Sequence, residues 1–323
     1  MAARQPDGRV DRRGFLGSLA LGSAGLAWGL RAEAQERSTV VLARADNLES
    51  LFGLPHYQHI LDLLTAGLRA LTGAITDGDA RRRYFGVSDR LAVQIAASPT
   101  PVVPEVVDAV CTTAARAGVP VDRMFIYSAD EHELYRAGFA IKHEGPGVRC
   151  YGARSEGYRA SISRLLAPEV NALANVPCLS PHPQAGLAGA LQNYVNSVSN
   201  DVAQDAYLDD CAELPGLLGM KAFRERTRVH VMDCLKPAYD LPDGGRPARW
   251  EYKGLLLSTD PVALDTVALA VLQAKRREVA GRDWPLQPYP THLQRAAEHY
   301  GLGVADMAAI DLLRVGTMDG ALI

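Results

Sequence analysis

Short apolar and β-branched runs alternate along the chain with longer stretches whose apolar residues recur three and four apart. The runs Thr39–Ala43, Leu91–Ala96, Met124–Ser128, Val148–Tyr151, Val176–Ser180, Arg228–Asp233, Gly254–Thr259 and Ile310–Val315 read as strands. His56–Thr72, Pro104–Ala117, Gln184–Val195, Pro261–Lys275 and Thr291–Tyr300 read as helices that bury one stripe against a sheet. This alternation predicts an α/β fold, a substantially parallel sheet flanked by helices. The turn Gly145–Gly147 is the expected seam between an amino-terminal lobe over residues 35–147 and a carboxy-terminal lobe over residues 148–323.

Residues 1–34 follow a different pattern. Arg12-Arg13-Gly14-Phe15 stands ahead of a 15-residue apolar run, Leu16–Leu30, and Ala32-Glu33-Ala34 supplies a small-x-small cleavage site. Together these read as a twin-arginine export signal. The run is short of the roughly 20 apolar residues that span a bilayer, and it holds several Gly and Ser, so no stable membrane span is expected after cleavage. The reading makes the export machinery a partner and the periplasm, or another exported location, the destination.

Cleavage after residue 34 leaves 289 residues, enough for one large or two modest domains. It also removes a net charge of +2, taking the formal −3 to −5. An acidic body without a Lys/Arg block is a poor match for nucleic acid, whose binding rests on phosphate neutralisation. Cys111, Cys150, Cys178, Cys211 and Cys234 are scattered with no CxxC and no metal-ligand spacing, so no iron-sulfur cluster is expected. Small buried hydrophobes are their default reading. No Gly-x-Ser-x-Gly elbow, His-Glu-x-x-His, Walker loop or dinucleotide fingerprint is present, and no nucleotide cofactor is expected.

Four polar residues follow predicted strands: Asp130, His182, Asp233 and Asp260. Ligands of open α/β sheets bind outside the carboxyl ends of strands, so these four are candidates for one crevice. Each also has a structural account. Asp260 precedes Pro261 and a long helix, as an N-cap does. Asp130 opens the acid-rich run Asp130-Glu131-His132-Glu133, a helix start. His182 lies in the stiff turn Ser180-Pro181-His182-Pro183, fit for a proton-transfer group or metal ligand, or simply exposed. Asp265 falls inside an apolar helix stripe and needs a partner there. His56 and His59 share a helix face but have no third ligand nearby. His292 and His299 sit on a late helix of ordinary amphipathic pattern.

Arg228-Val-His-Val-Met-Asp233, Gly254-Leu-Leu-Leu-Ser-Thr-Asp-Pro-Val-Ala-Leu-Asp265 and His292-Leu-Gln-Arg-Ala-Ala-Glu-His-Tyr-Gly-Leu-Gly303 resemble the bacterial and archaeal family grouped as domain of unknown function 362. Asp89–Gln94, Pro104–Val110 and Ala115–Val119 fit its amino-terminal half, so both lobes would belong to one family domain. The resemblance picks out His182, Asn193, Asp233, Asp260 and Asp265, and implies an α/β fold without a reaction. Relatives often show Lys-x-Asn, Leu-Lys-x-His and Lys-Asn where this chain has Gln94-Ile95-Ala96, Leu179-Ser180-Pro181-His182 and Gln192-Asn193. Their positive positions are neutral here, which implies a different or less charged ligand.

The resulting expectation is an exported α/β protein with a polar pocket at strand ends that takes a small ligand or a divalent metal. As an enzyme it would use His182 and Asp233 as catalytic or metal-ligating pair, with Asn193, Asp130, Asp260 and Asp265 binding ligand. The alternative is a non-catalytic periplasmic ligand-binding or assembly protein.

Overall fold

The computed structural model describes residues 37–323 apart from 50–52, 167–168 and 243–244, so the candidate export signal lies outside the described residues. Eight strands form the main sheet: β1 (Ser38–Arg44), β2 (Leu91–Ile95), β3 (Met124–Ser128), β4 (Arg149–Gly152), β5 (Ala172–Val176), then, after a separate hairpin of β6 (Ser180–His182) and β7 (Gly186–Ala188), β8 (Thr227–Cys234), β9 (Gly254–Ser258) and β10 (Ile310–Gly316). Their order is β10-β1-β9-β8-β5-β2-β3-β4. All run parallel except β9, which is antiparallel to β1 and β8. The turn Gly145–Gly147 lies between β3 and β4, and both halves of the chain contribute to this one sheet.

Side chains alternate between two apolar layers, as strands covered on both faces require. Val41, Ala43, Val93, Val229, Val231 and Leu257 pack with α1 (Tyr57–Thr72) and α2 (Pro104–Arg116). Val40, Leu42, Ala92, Leu173, Met232 and Leu256 pack on the other face, against α3 (Ala190–Asn193), α4 (Pro261–Ala280) and α5 (His292–Glu298). All five cysteines are buried and unpaired, the small-hydrophobe role read from their surroundings. Among the described residues no helix is long and apolar enough to cross a membrane.

The structure departs from the expected elements at two places. The strand expected at Val176–Ser180 is Ala172–Val176, because the chain turns out of the sheet at Pro177, keeping one bridge between Cys178 and Asp233. The helix expected at Gln184–Val195 is instead the turn and second strand of the β6–β7 hairpin, followed by the short α3 and a 3-10 turn over Tyr194–Ser197. Gly186 explains the break, since its φ of +76° suits the hairpin and not a helix.

Candidate functional site

On the α4 face, one polar row crosses five strands in register: Tyr127 on β3, Gln94 on β2, Asn175 on β5, His230 on β8 and Ser258 on β9. All five are buried, so each polar atom needs an internal partner. Tyr127 and Ser197 donate to Gln94 Oε1, both at 2.9 Å, and the Gln94 amide donates to the Asn193 carbonyl. Asn175 Nδ2 donates to the Ala190 carbonyl at 2.9 Å and to His230 Nδ1 at 3.1 Å. Asn193 completes the row, donating to Asn175 Oδ1 at 2.7 Å, and its Oδ1 accepts from Asn196 Nδ2 at 2.7 Å. The carboxamide of Asn193 therefore clamps α3 to the sheet. From the opposite side Asp265 accepts the Ala190 and Leu191 N–H groups at 2.6 and 2.9 Å, so it too anchors α3.

This double anchoring fixes Gln192 beside the hairpin. His182 stacks on Tyr207, with ring centroids 5.2 Å apart and planes 16° from parallel. Its Nδ1 accepts the N–H groups of Gln184 at 3.2 Å and Ala185 at 3.0 Å. Burial lowers its pKa to about 4, so the ring is neutral at pH 7, and an Nδ1 that accepts leaves the proton on Nε2. His182 therefore presents an Nε2–H donor. A neutral ring in this tautomer has no free lone pair for a metal ion, because ligating imidazoles donate through their other nitrogen. The amide nitrogen of Gln192 lies 3.5 Å from that Nε2, donor facing donor, and donates instead to the Tyr207 hydroxyl at 2.7 Å.

His292, at the start of α5, joins this site. Gly186 pairs with His182 across the hairpin, and the space where its Cβ would stand is 2.2 Å from the Pro288 carbonyl oxygen and 3.0 Å from the Pro290 nitrogen. The segment leading into His292 is thereby pressed against the hairpin. Thr291 also reaches the Asp210 carbonyl at 3.4 Å, tying the segment to the stretch after Tyr207. His292 is 1 % exposed, and neither ring nitrogen has a hydrogen-bond partner. Burial, with a smaller contribution from repulsion by His182, lowers its pKa to about 4. Asp209, Asp210 and Cys211, at φ +50°, +56° and +61°, border the site with a left-handed run that non-glycine residues adopt only under constraint.

The remaining sequence candidates lie elsewhere. Asp233 shares its face of β8 with Val229 and Val231, and its carboxylate accepts Val103 N–H at 2.7 Å and Leu235 N–H at 2.8 Å on the α2 side. The sheet thus separates Asp233 from His182, and the two do not meet in one pocket. Burial raises the pKa of Asp233 to about 6, countered by those two N–H groups. Asp130 caps the helix Glu131–Arg136 and pairs with Arg154 at 3.4 Å. Asp260 caps α4 and accepts Val304 N–H at 2.9 Å, next to a cavity of about 950 Å³ also lined by Arg37, Gly303 and Asp306. Because β9 runs antiparallel, Asp260 stands at the opposite end of the sheet from Asp130 and Asp233. The β8–β9 connection holds a small hairpin, Ala238–Asp240 with Ala248–Arg249, in place of the helical crossover a parallel β9 would need. His56 and His59 stack on one another, and among the described residues no three His, Cys, Asp or Glu side chains converge to hold a metal ion.

The site's chemistry is that of neutral donors and acceptors. Nitrogen-15 spectra at pH 7 are expected to show His182 protonated on Nε2 alone, with no imidazolium signal from His182, His230 or His292 until the pH falls to about 4 or below. The unfolded chain protonates these rings near 6.5, so the stability they contribute falls as pH drops from about 6.5 towards 4. Urea midpoints measured across that window test the sign.

A family model described as "Domain of unknown function (DUF362)" matches residues 94–270, a span that includes His182, Gln192, Asn193 and Tyr207 and stops short of His292. No curated protein matches. Among solved structures, a crystal structure of a protein from Thermotoga maritima is similar at 11% identity and a TM-score of 0.38, over 66% of this chain and 58% of that one. This chain thus spans under two thirds of that protein's length.

Proposed function

The chain belongs to the DUF362 family, and we propose that it is an exported protein binding a small uncharged ligand at His182, Gln192, Tyr207 and His292. The family's description names no activity. The observation that carries the reading is His292, a buried imidazole with two unpartnered nitrogens beside a second neutral imidazole whose proton is fixed. Buried polar atoms in folded proteins are almost always paired, so an orphan on the helix that packs beside the hairpin points to an outside partner. The absence of Lys or Arg among the four side chains favours a ligand without charge, since a buried ion without a partner is costly.

The test is a thermal-shift screen of uncharged polar compounds against the purified chain and its His182→Phe variant. A ligand that binds only the folded state at ~100 times its Kd stabilises by about 2.7 kcal/mol. Stabilising compounds are expected to lose their effect in the variant; equal stabilisation of both proteins would reject this site. Export rests on Arg12-Arg13-Gly14-Phe15 and the apolar run that follows. Changing both arginines to lysine should hold a fused reporter in the cytoplasm, and undiminished export would reject the twin-arginine route.

A further inference from the structure

We propose that the group recognised between His182 and His292 is a carboxamide edge, a carbonyl beside an N–H. The inference rests on the ligand-binding reading above and specifies its chemistry. His182 offers a donor that cannot invert, because two backbone N–H groups hold its Nδ1 as an acceptor. His292 has no partner on either nitrogen, so its neutral ring is free to present a lone pair on whichever nitrogen the ligand faces. The two rings belong to different elements, the β6–β7 hairpin and α5, and together call for two ligand atoms, one acceptor and one donor. A carboxamide is the simplest uncharged group that carries both side by side.

The protein leaves that donor unmatched. The Gln192 atom facing His182 Nε2 is its amide nitrogen, at 3.5 Å, so that donor stands against donor and no hydrogen bond forms. That nitrogen is held instead by Tyr207, at 2.7 Å. A ligand carbonyl that reaches His182 replaces a poor contact with a good one. A carboxylate in the same place brings a charge that none of the four side chains neutralises, and a hydroxyl brings one atom where two are called for.

The proposal is tested on the purified chain by following the ring nitrogen-15 signals of His182 and His292 with four probes: 2-pyrrolidone, N-methyl-2-pyrrolidone, propionate and 1-propanol. 2-Pyrrolidone, with C=O beside N–H, is expected to shift both rings. Its N-methyl counterpart should bind about tenfold more weakly, the size of one ordinary hydrogen bond. In His292→Phe that tenfold difference should vanish. The probe pair reads the unaltered chain, so the test holds even where the variant does not fold. Equal binding of the two lactams overturns the proposal, as does silence from all four probes. Tighter binding of propionate or 1-propanol at these rings also overturns it while leaving the ligand-binding reading intact. Both fall together when no compound in the thermal-shift screen depends on His182.

Discussion

Replacing Gly186 by Ala is expected to cost about 3 kcal/mol of stability and to detach the His292 segment from the hairpin. Two effects add at this position. The residue sits at φ +76°, where an L side chain costs about 1 kcal/mol relative to glycine. The new methyl would also stand 2.2 Å from the Pro288 carbonyl oxygen and 3.0 Å from the Pro290 nitrogen, both main-chain atoms that cannot rotate aside. Gly281, the left-handed cap of α4, separates the two effects, since its φ is +65° and nothing lies within 4 Å of its would-be Cβ. Gly281→Ala should therefore cost about 1 kcal/mol, the conformational part alone. Urea midpoints at unchanged m give both values, and only Gly186→Ala should move the ring signals of His292. Equal losses at the two glycines would mean that the Pro288–Pro290 segment yields to the methyl without strain.

How far the sequence could be read follows from what each feature depends on. Strands such as Leu91–Ile95 and Thr227–Cys234 announce themselves by composition, and α4 by Asp260, Pro261 and its buried stripe, because those preferences are local. The face of Asp233 was also legible in principle: it shares the two-residue period of Val229 and Val231, while His230 and Met232 point the other way. Which face holds His182 depends on the hairpin after Pro177, a tertiary choice. The direction of β9 was hidden for a similar reason, since a 19-residue connection from Leu235 to Lys253 is long enough for either a crossover or a hairpin. That direction alone moves Asp260 to the far end of the sheet. His292 gave no signal, because an imidazole on an amphipathic helix becomes informative only when all its neighbours are known.

Asp265→Ala is expected to destabilise the fold by about 2–4 kcal/mol, whereas Asp265→Asn should lose about 1 kcal/mol. Alanine strands the buried N–H groups of Ala190 and Leu191, which the carboxyl accepts at 2.6 and 2.9 Å; asparagine keeps one oxygen for them. The comparison with asparagine carries a pH signature. Burial raises the Asp265 pKa to about 7, with the Leu191 and Ala190 N–H groups pulling it down and the Asp260 charge adding slightly to the rise. An acid raised above its unfolded value of 3.8 holds its proton in the folded state after the unfolded chain has released it. Its contribution is thus full below about pH 4 and is lost as pH rises towards 7. The asparagine variant should compare worst with the parent near pH 5 and best near pH 8, because Asp233 and the buried histidines are common to both proteins and cancel. Paired urea melts at those two values decide the matter, and a level difference would show the carboxyl ionised throughout. Since α3 carries Gln192, the alanine variant should also loosen the carboxamide beside His182, so its ring Nε2 signal is expected to shift while that of the asparagine variant stays near the parent's.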